Sequence, residues 1–274
     1  MKKQYCRSWS LRFVRLAFLL VMTFAIADIA GADPGQDRKP DLAKNMTKGL
    51  FEKEGKQLPY RWIKVGQEKN PALVLFLHGA GERGADNEAQ LTHGVGDLIS
   101  WLEKMGKSAV VLAPQCQSGV WWADLEGNFR AAGGARLPDK PSLMMDLVFG
   151  AADRLVESEN VDRERVYVTG LSMGGFGSFA AVAYRPDFFA AAMPVCGGGD
   201  ATKAETMKGV PFWVFHGEED KVVPLGSSEA MVKALREAGA KVKFRKYPGV
   251  GHDSWSATYR DPAVWKWLFA QKKK

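Results

Sequence analysis

From residue 58 onward, short and continuously apolar runs alternate with longer amphipathic stretches, and this alternation restricts the chain more than any other feature. The runs are YRWIKV (60–65), ALVLFLH (72–78), AVVLAP (109–114), RVYVTG (165–170), AAAMPVC (190–196), PFWVFH (211–216) and KVKFRKY (241–247). Several lack the polar alternation of a half-exposed strand, as expected for strands covered on both faces of a parallel sheet. Between them, Ser142 to Glu159 places apolar residues at 143, 144, 147, 148, 151, 155 and 156, one face at helical period. The stretch 227–239 opens on a serine suited to capping a helix and closes on Gly239, and 262–271 opens on a proline at a first-turn position. Strands and helices in alternation predict an α/β fold with a mostly parallel central sheet, in which function collects beyond the carboxyl ends of the strands.

The first 32 of the 274 residues have a different character. Lys2, Lys3, Arg7, Arg12 and Arg15 precede a largely apolar run from Leu16 to Ile29, which leads into Ala30-Gly31-Ala32. That layout predicts a secretory signal, residues 1–32, cleaved before Asp33, and hence a secreted or periplasmic protein. The alternative is an uncleaved anchor, but the run is short for a span of about 20 residues and contains Asp28. No stable membrane span is expected after cleavage. The segment holds five basic residues and one acidic one, so most of the formal charge of +7 leaves with it. The remaining basic residues form no block except Lys272-Lys273-Lys274, and no nucleic-acid partner is expected. Residues 33–55, polar and rich in Lys and Asp, read as a loose lead-in, and 56–274 as one domain. Cys116 and Cys196 each end a different strand-like run. Whether they pair is left open by spacing.

One strand-to-helix junction carries chemistry. In VYVTGLSMGGFGSFAAVAYRP, Gly170 and Gly174 bracket Ser172 as G-x-S-x-G, between a strand and an Ala-rich helix that stops before Pro186. A sharp turn of this kind holds the serine in a strained conformation, and side chains two residues away on either side would collide. The following helix directs its N-terminal amides at the hydroxyl. A serine is a poor nucleophile without a base to take its proton and an acid to orient that base. In chain order, an acidic cluster, GEEDKVVP, follows one strand end and PGVGHDSW follows the next. Asp220 is the expected acid, because Glu218 and Glu219 sit closer to the strand. His252 is the expected base and the only histidine downstream of Asp220.

An oxyanion needs two preorganised amide donors. The expected pair is the backbone N–H of Met173, directly after the serine, and that of Ala80, set between Gly79 and Gly81 in LFLHGAGERG. His78, ending the same strand, is expected to brace that loop by hydrogen bonds rather than act as a base. Gly79-x-Gly81-x-x-Gly84 also satisfies the dinucleotide fingerprint. However, no apolar helix opens on its third glycine, and the next strand does not end in the acidic residue that would hold a ribose, so a nucleotide site is rejected. The four histidines show no metal-site spacing, and neither metal nor cofactor is expected. Trp121, Trp122 and Trp255 lie on strand-end loops and are expected to wall the substrate site.

Taken together, LHGAGERGADN, LAPQC, VYVTGLSMGG, PVCGGGD, HGEEDKVVP and GHDSW resemble α/β-hydrolase esterases over roughly residues 55–270. More narrowly, the chain resembles the secreted peptidase-like and phospholipase/carboxylesterase-type group, with feruloyl esterases and polyhydroxybutyrate depolymerase-like proteins as relatives. The resemblance implies an α/β-hydrolase fold, Ser172, Asp220 and His252 as a triad, and Ala80 and Met173 as oxyanion donors. Hydrolysis of a small-molecule or polysaccharide-linked carboxylic ester is implied as the activity. A prolyl-oligopeptidase-like serine peptidase and a non-catalytic binding module are the alternatives. The short stretch between PVC and PFWVFH leaves no room for a large cap, so an open site is expected.

Overall fold

A computed structural model describes residues 42–128 and 131–273; the expected secretory segment, 1–32, and the start of the expected lead-in lie outside the described residues. The strands are β1 (Thr47–Lys53), β2 (Lys56–Val65), β3 (Ala72–Leu77), β4 (Ala109–Pro114), β5 (Glu126–Gly127), β6 (Ala135–Arg136), β7 (Val166–Leu171), β8 (Ala191–Val195), β9 (Phe212–Gly217) and β10 (Val242–Tyr247). The helices are α1 (Val95–Met105), α2 (Leu143–Ser158), α3 (Met173–Tyr184), α4 (Ala204–Met207), α5 (Leu225–Glu237), α6 (Trp255–Arg260) and α7 (Pro262–Phe269). Eight strands form one sheet in the order β1-β2-β4-β3-β7-β8-β9-β10, while β5 and β6 make a separate two-stranded hairpin. Only the β1–β2 and β2–β4 pairings of the large sheet are antiparallel. This is the mostly parallel sheet that the apolar runs predict.

Every residue of β3, β4, β7, β8 and β9 is buried. The period of two along β3 explains why an unbroken apolar run suits it. Leu73, Leu75 and Leu77 join one core with Leu147 of α2, Phe179 of α3 and Met231 of α5. Val74 and Phe76 point the other way, into a second core with Leu98 of α1, Tyr259 of α6 and Leu268 of α7. Each such side chain contributes about 1.5–3 kcal/mol on leaving water, so the central strands anchor both layers. Helix starts follow local chemistry. Ser142 Oγ accepts from the Met145 amide at 3.1 Å to cap α2, and Asp261 accepts from the Ala263 amide at 2.8 Å, with Pro262 opening α7.

Two expectations are corrected. The part of the lead-in that is described is ordered, because residues 47–53 form β1, paired with β2 through the two-residue turn Glu54-Gly55. Both turn residues have positive φ, 51° and 71°, the conformation that suits the twist of a tight hairpin. The strand looks polar because it lies at the sheet edge, with no residue fully buried. Helix α5 starts at Leu225 rather than at the serines, and Ser227 and Ser228 fall inside its first turn. The connection from β8 to β9, residues 196–211, holds only a three-residue turn and the four-residue α4, so no cap covers the sheet's carboxyl edge there.

Candidate active site

Ser172 stands between the end of β7 and the start of α3, with φ 53° and ψ −115°. A non-glycine residue held there costs about 1–3 kcal/mol unless its surroundings enforce the conformation. The flanking glycines permit it. A Cβ at Gly170 would lie 2.5 Å from the carbonyl oxygens of both Leu77 and Gly174, and one at Gly174 would lie 2.0 Å from the Leu77 oxygen. The backbone of α3 is therefore pressed directly on the end of β3. The Ser172 amide donates to Val195 O at 2.9 Å, fixing the turn to β8 as well.

Three side chains from three strand ends meet. His252, on the loop after β10, has Nε2 at 2.9 Å from Ser172 Oγ and Nδ1 at 2.6 Å from Asp220 Oδ2. Asp220 follows β9 and is buried, whereas Glu218 and Glu219 are exposed. Asp220 Oδ1 accepts from the amides of Val222 and Val223 at 2.8 and 2.9 Å. Burial alone would push its carboxyl up, but hydrogen bonds from His216, His252, Val223 and Val222 outweigh burial and hold it well below the usual carboxylate range. Asp220 is thus a fixed anion against Nδ1, and Nε2 is left to face the serine.

His78 braces the neighbouring loop. Its Nε2 accepts from the Cys116 amide at 2.9 Å, so the hydrogen is on Nδ1, which donates to Gly79 O at 2.6 Å. Burial lowers its pKa to about 4, matching this neutral form. Because a trans peptide sets its C=O and N–H in opposite directions, fixing Gly79 O toward His78 turns the Ala80 N–H away from it. Gly79 itself lies against Leu171, the residue before Ser172, since a Cβ on it would come 2.8 Å from Leu171 Cδ1. Met173 opens α3, where the first amides have no partner within the helix.

The tryptophans divide. Trp122 is corrected: it is fully buried, its Nε1 donates to His78 O at 3.0 Å, and its ring meets the His78 ring edge-on at 4.9 Å. It supports the Ala80 loop from beneath and cannot wall a cleft. The chain bends at Trp122, and its indole N–H finds a buried acceptor. Trp121 is half-buried, lies edge-on to Phe176 of α3 at 6.4 Å, and lines a cleft of about 720 Å³ with Leu125 and Pro138, rimmed by Asp124 and Glu126. Trp255, also half-buried, opens α6 and stands edge-on to the His252 ring at 5.3 Å, so it braces the imidazole. Trp122→Ala is expected to cost about 3–5 kcal/mol in denaturant unfolding. Trp121→Ala should cost less stability than Trp122→Ala and alter the ratio of rates on bulky and short esters.

Cys116 and Cys196 are buried free thiols. Cys196, Asp220 and His252 bring donor atoms within 4.8 Å of one another, the one such set among the described residues. The set does not suit a cation. Burial holds the Cys196 thiol protonated, and the carboxylate and imidazole already bond each other and the serine. One residue of the site escaped the reading of the sequence. His216, wholly buried near the end of β9, lies 3.3 Å from Asp220 Oδ2 through Nε2. Its signal was a histidine at a strand end, four residues before the acid.

Known proteins are similar to this chain in sequence and in fold. A family model described as phospholipase/carboxylesterase matches residues 58–262. The chain is 27% identical over 191 residues to the carboxylesterase SOBER1 of Arabidopsis thaliana, covering 66% of this chain and 82% of the relative. Among solved structures, a thermostable esterase superposes with a TM-score of 0.76 at 36% identity, covering 84% of this chain and 64% of that one, so the chain spans slightly less than two thirds of its length. A ferulic acid esterase matches with a TM-score of 0.57 at 19% identity over 81% of this chain and 95% of that one, a likeness of fold.

Proposed function

The chain belongs to the phospholipase/carboxylesterase family of α/β-hydrolases, and from that premise we propose that it cleaves carboxylic esters through Ser172, His252 and Asp220. That it is a serine carboxylesterase-type hydrolase follows from the family and its esterase relatives. The observation that carries the assignment of roles is the unbroken chain from Ser172 Oγ to His252 at 2.9 Å and from His252 to Asp220 at 2.6 Å.

In this reading Ser172 Oγ attacks the ester carbonyl while His252 Nε2 takes its proton. The new oxyanion is held by the amides of Ala80 and Met173. Asp220 keeps Nδ1 protonated and stabilises the imidazolium. The imidazolium then returns its proton to the departing alkoxide, leaving an acyl-serine. Water, deprotonated by His252, attacks the acyl carbon, and the carboxylic acid leaves as the proton returns to Ser172.

The base must be free to accept a proton, so kcat/KM should rise with increasing pH and then level off. Burial lowers the His78 pKa to about 4, so that imidazole is neutral above this pH and does not produce a rise seen at higher pH. A kcat/KM that falls with increasing pH over the same interval contradicts the base assignment.

The proposed substrate is an ester on a bulky or extended alcohol, such as an acyl or feruloyl group on a carbohydrate polymer, met outside the cell after export. Its support is Trp121, which stands edge-on to Phe176 four residues beyond Ser172, the uncapped β8–β9 connection and the basic-then-apolar start of the sequence. A panel of acetyl, butyryl and feruloyl esters, with an aminoacyl amide beside them, tests this. The expected result is faster turnover of esters than of the amide, with Trp121→Ala changing the preference among esters. Amide cleavage as fast as ester cleavage would instead make the enzyme a peptidase.

A further inference from the structure

The acid of this site is held by two histidines. His216 Nε2 lies 2.9 Å from Val223 O and 3.3 Å from Asp220 Oδ2. Both oxygens only accept, so Nε2 carries the hydrogen and shares it between them. The other ring nitrogen, Nδ1, lies 2.7 Å from Ser228 Oγ in the first turn of α5, and that hydroxyl lies 2.8 Å from Gly197 O. Gly197 is packed on the beginning of α3, where a Cβ on it would come 2.6 Å from the carbonyl carbon of Gly175 and 2.7 Å from the Phe176 amide nitrogen. A chain of close contacts therefore runs from His252 through Asp220, His216, Ser228 and Gly197 to the helix that presents Ser172, with the single Ser228 hydrogen serving either Nδ1 or Gly197 O.

We propose that His216 is a positioning residue for ester hydrolysis, donating Nε2–H to Asp220 and setting the carboxylate in place against His252. This inference rests on the roles assigned above to Ser172, His252 and Asp220. His216 acts on both carboxylate oxygens. Its Nε2–H is held by the carbonyl of Val223 at 2.9 Å and faces Oδ2 at 3.3 Å, and the Val223 amide bonds Oδ1 at 2.9 Å. A histidine kept only for packing would need no bond to the acid. The ionisable groups facing Asp220 are His216 from β9, His252 from the loop after β10 and the Cys196 thiol from the end of β8, which burial keeps neutral. Removing the Nε2 donor leaves more negative charge on Oδ2. The imidazolium formed at His252 is then bound more tightly, and the acid is free to shift.

Paired amide substitutions separate the two ring nitrogens, since a glutamine amide nitrogen reaches where Nε2 lies and an asparagine amide nitrogen where Nδ1 lies. For His216→Asn, kcat on a p-nitrophenyl ester should fall about 10- to 100-fold with KM within about twofold, as for a reacting group displaced by a fraction of an ångström. The rising limb of kcat/KM should also move to higher pH. For His216→Gln, most of kcat should return, with the limb near its wild-type position. Ser228→Ala frees the ring without touching Asp220 and should shift both readouts the same way by less; it decides the matter where His216→Asn does not fold. Equal kcat and equal limbs in His216→Asn and His216→Gln would overturn the proposal, as would a Ser228→Ala enzyme indistinguishable from wild type. If a fluorophosphonate does not label wild-type Ser172, the triad itself is wrong and this role falls with it. Labelling of wild type with no difference between the variants removes only His216.

Discussion

Ser172→Ala loses about 10⁶-fold in kcat on p-nitrophenyl esters while melting at or slightly above the wild-type temperature. The size of the loss follows from the cooperation of the three groups, since a base and an acid without a nucleophile retain only the oxyanion site and substrate binding. The stability follows from the elbow. Its geometry is imposed by Gly170 and Gly174 against Leu77 O and by the Ser172 amide on Val195 O, none of which involves the hydroxyl. Relieving a functional site of its reactive group commonly leaves stability unchanged or raises it. A Ser172→Ala protein with near-wild-type turnover would show that another residue attacks the ester.

Asp220→Asn should cost about 10⁴-fold in kcat, the second-largest effect expected. An amide in place of the carboxylate offers His252 Nδ1 either an N–H or an uncharged oxygen, so the imidazole turns to the wrong tautomer or loses the charge that stabilises its protonated form. The two amides on Oδ1 and the two histidines on Oδ2 are all donors, and an asparagine NH₂ must point at one pair of them. Glu219→Gln is the matched control. Glu219 is exposed on the same loop, and its substitution should leave kcat within about twofold, as expected for an exposed charge outside the hydrogen-bonded set. A larger loss for Glu219→Gln than for Asp220→Asn would reassign the acid.

What could be read in advance was whatever depended on local spacing. The G-x-S-x-G turn, the order of serine, acid and histidine, and the brace at His78 are each written within a few residues of one strand end, and sheet topology carries the strand ends to the same edge. What could not be read depended on partners distant in the chain. Trp121 and Trp122 look alike in sequence, and only the position of His78 O decides which indole goes inside. Ser227 resembles a helix cap, but α5 begins two residues earlier, and the hydroxyl of the next serine, Ser228, lies against His216 and Gly197. His216 reads as the last polar residue of a buried strand until the turn through Asp220 folds back over it. The polarity of residues 47–53 is that of an edge strand, and its tight turn, Glu54-Gly55, is the local signal for it.

The central claim is that Ser172 is a nucleophile activated by His252. Reaction of the purified protein with a fluorophosphonate, followed by peptide mass spectrometry, tests it most directly. The account predicts a single covalent adduct on the peptide containing Ser172, formed quickly in wild type, slowed by orders of magnitude in His252→Ala, and absent in Ser172→Ala. An unlabelled wild-type protein, or an adduct on another residue that forms at the same rate in His252→Ala, would contradict it.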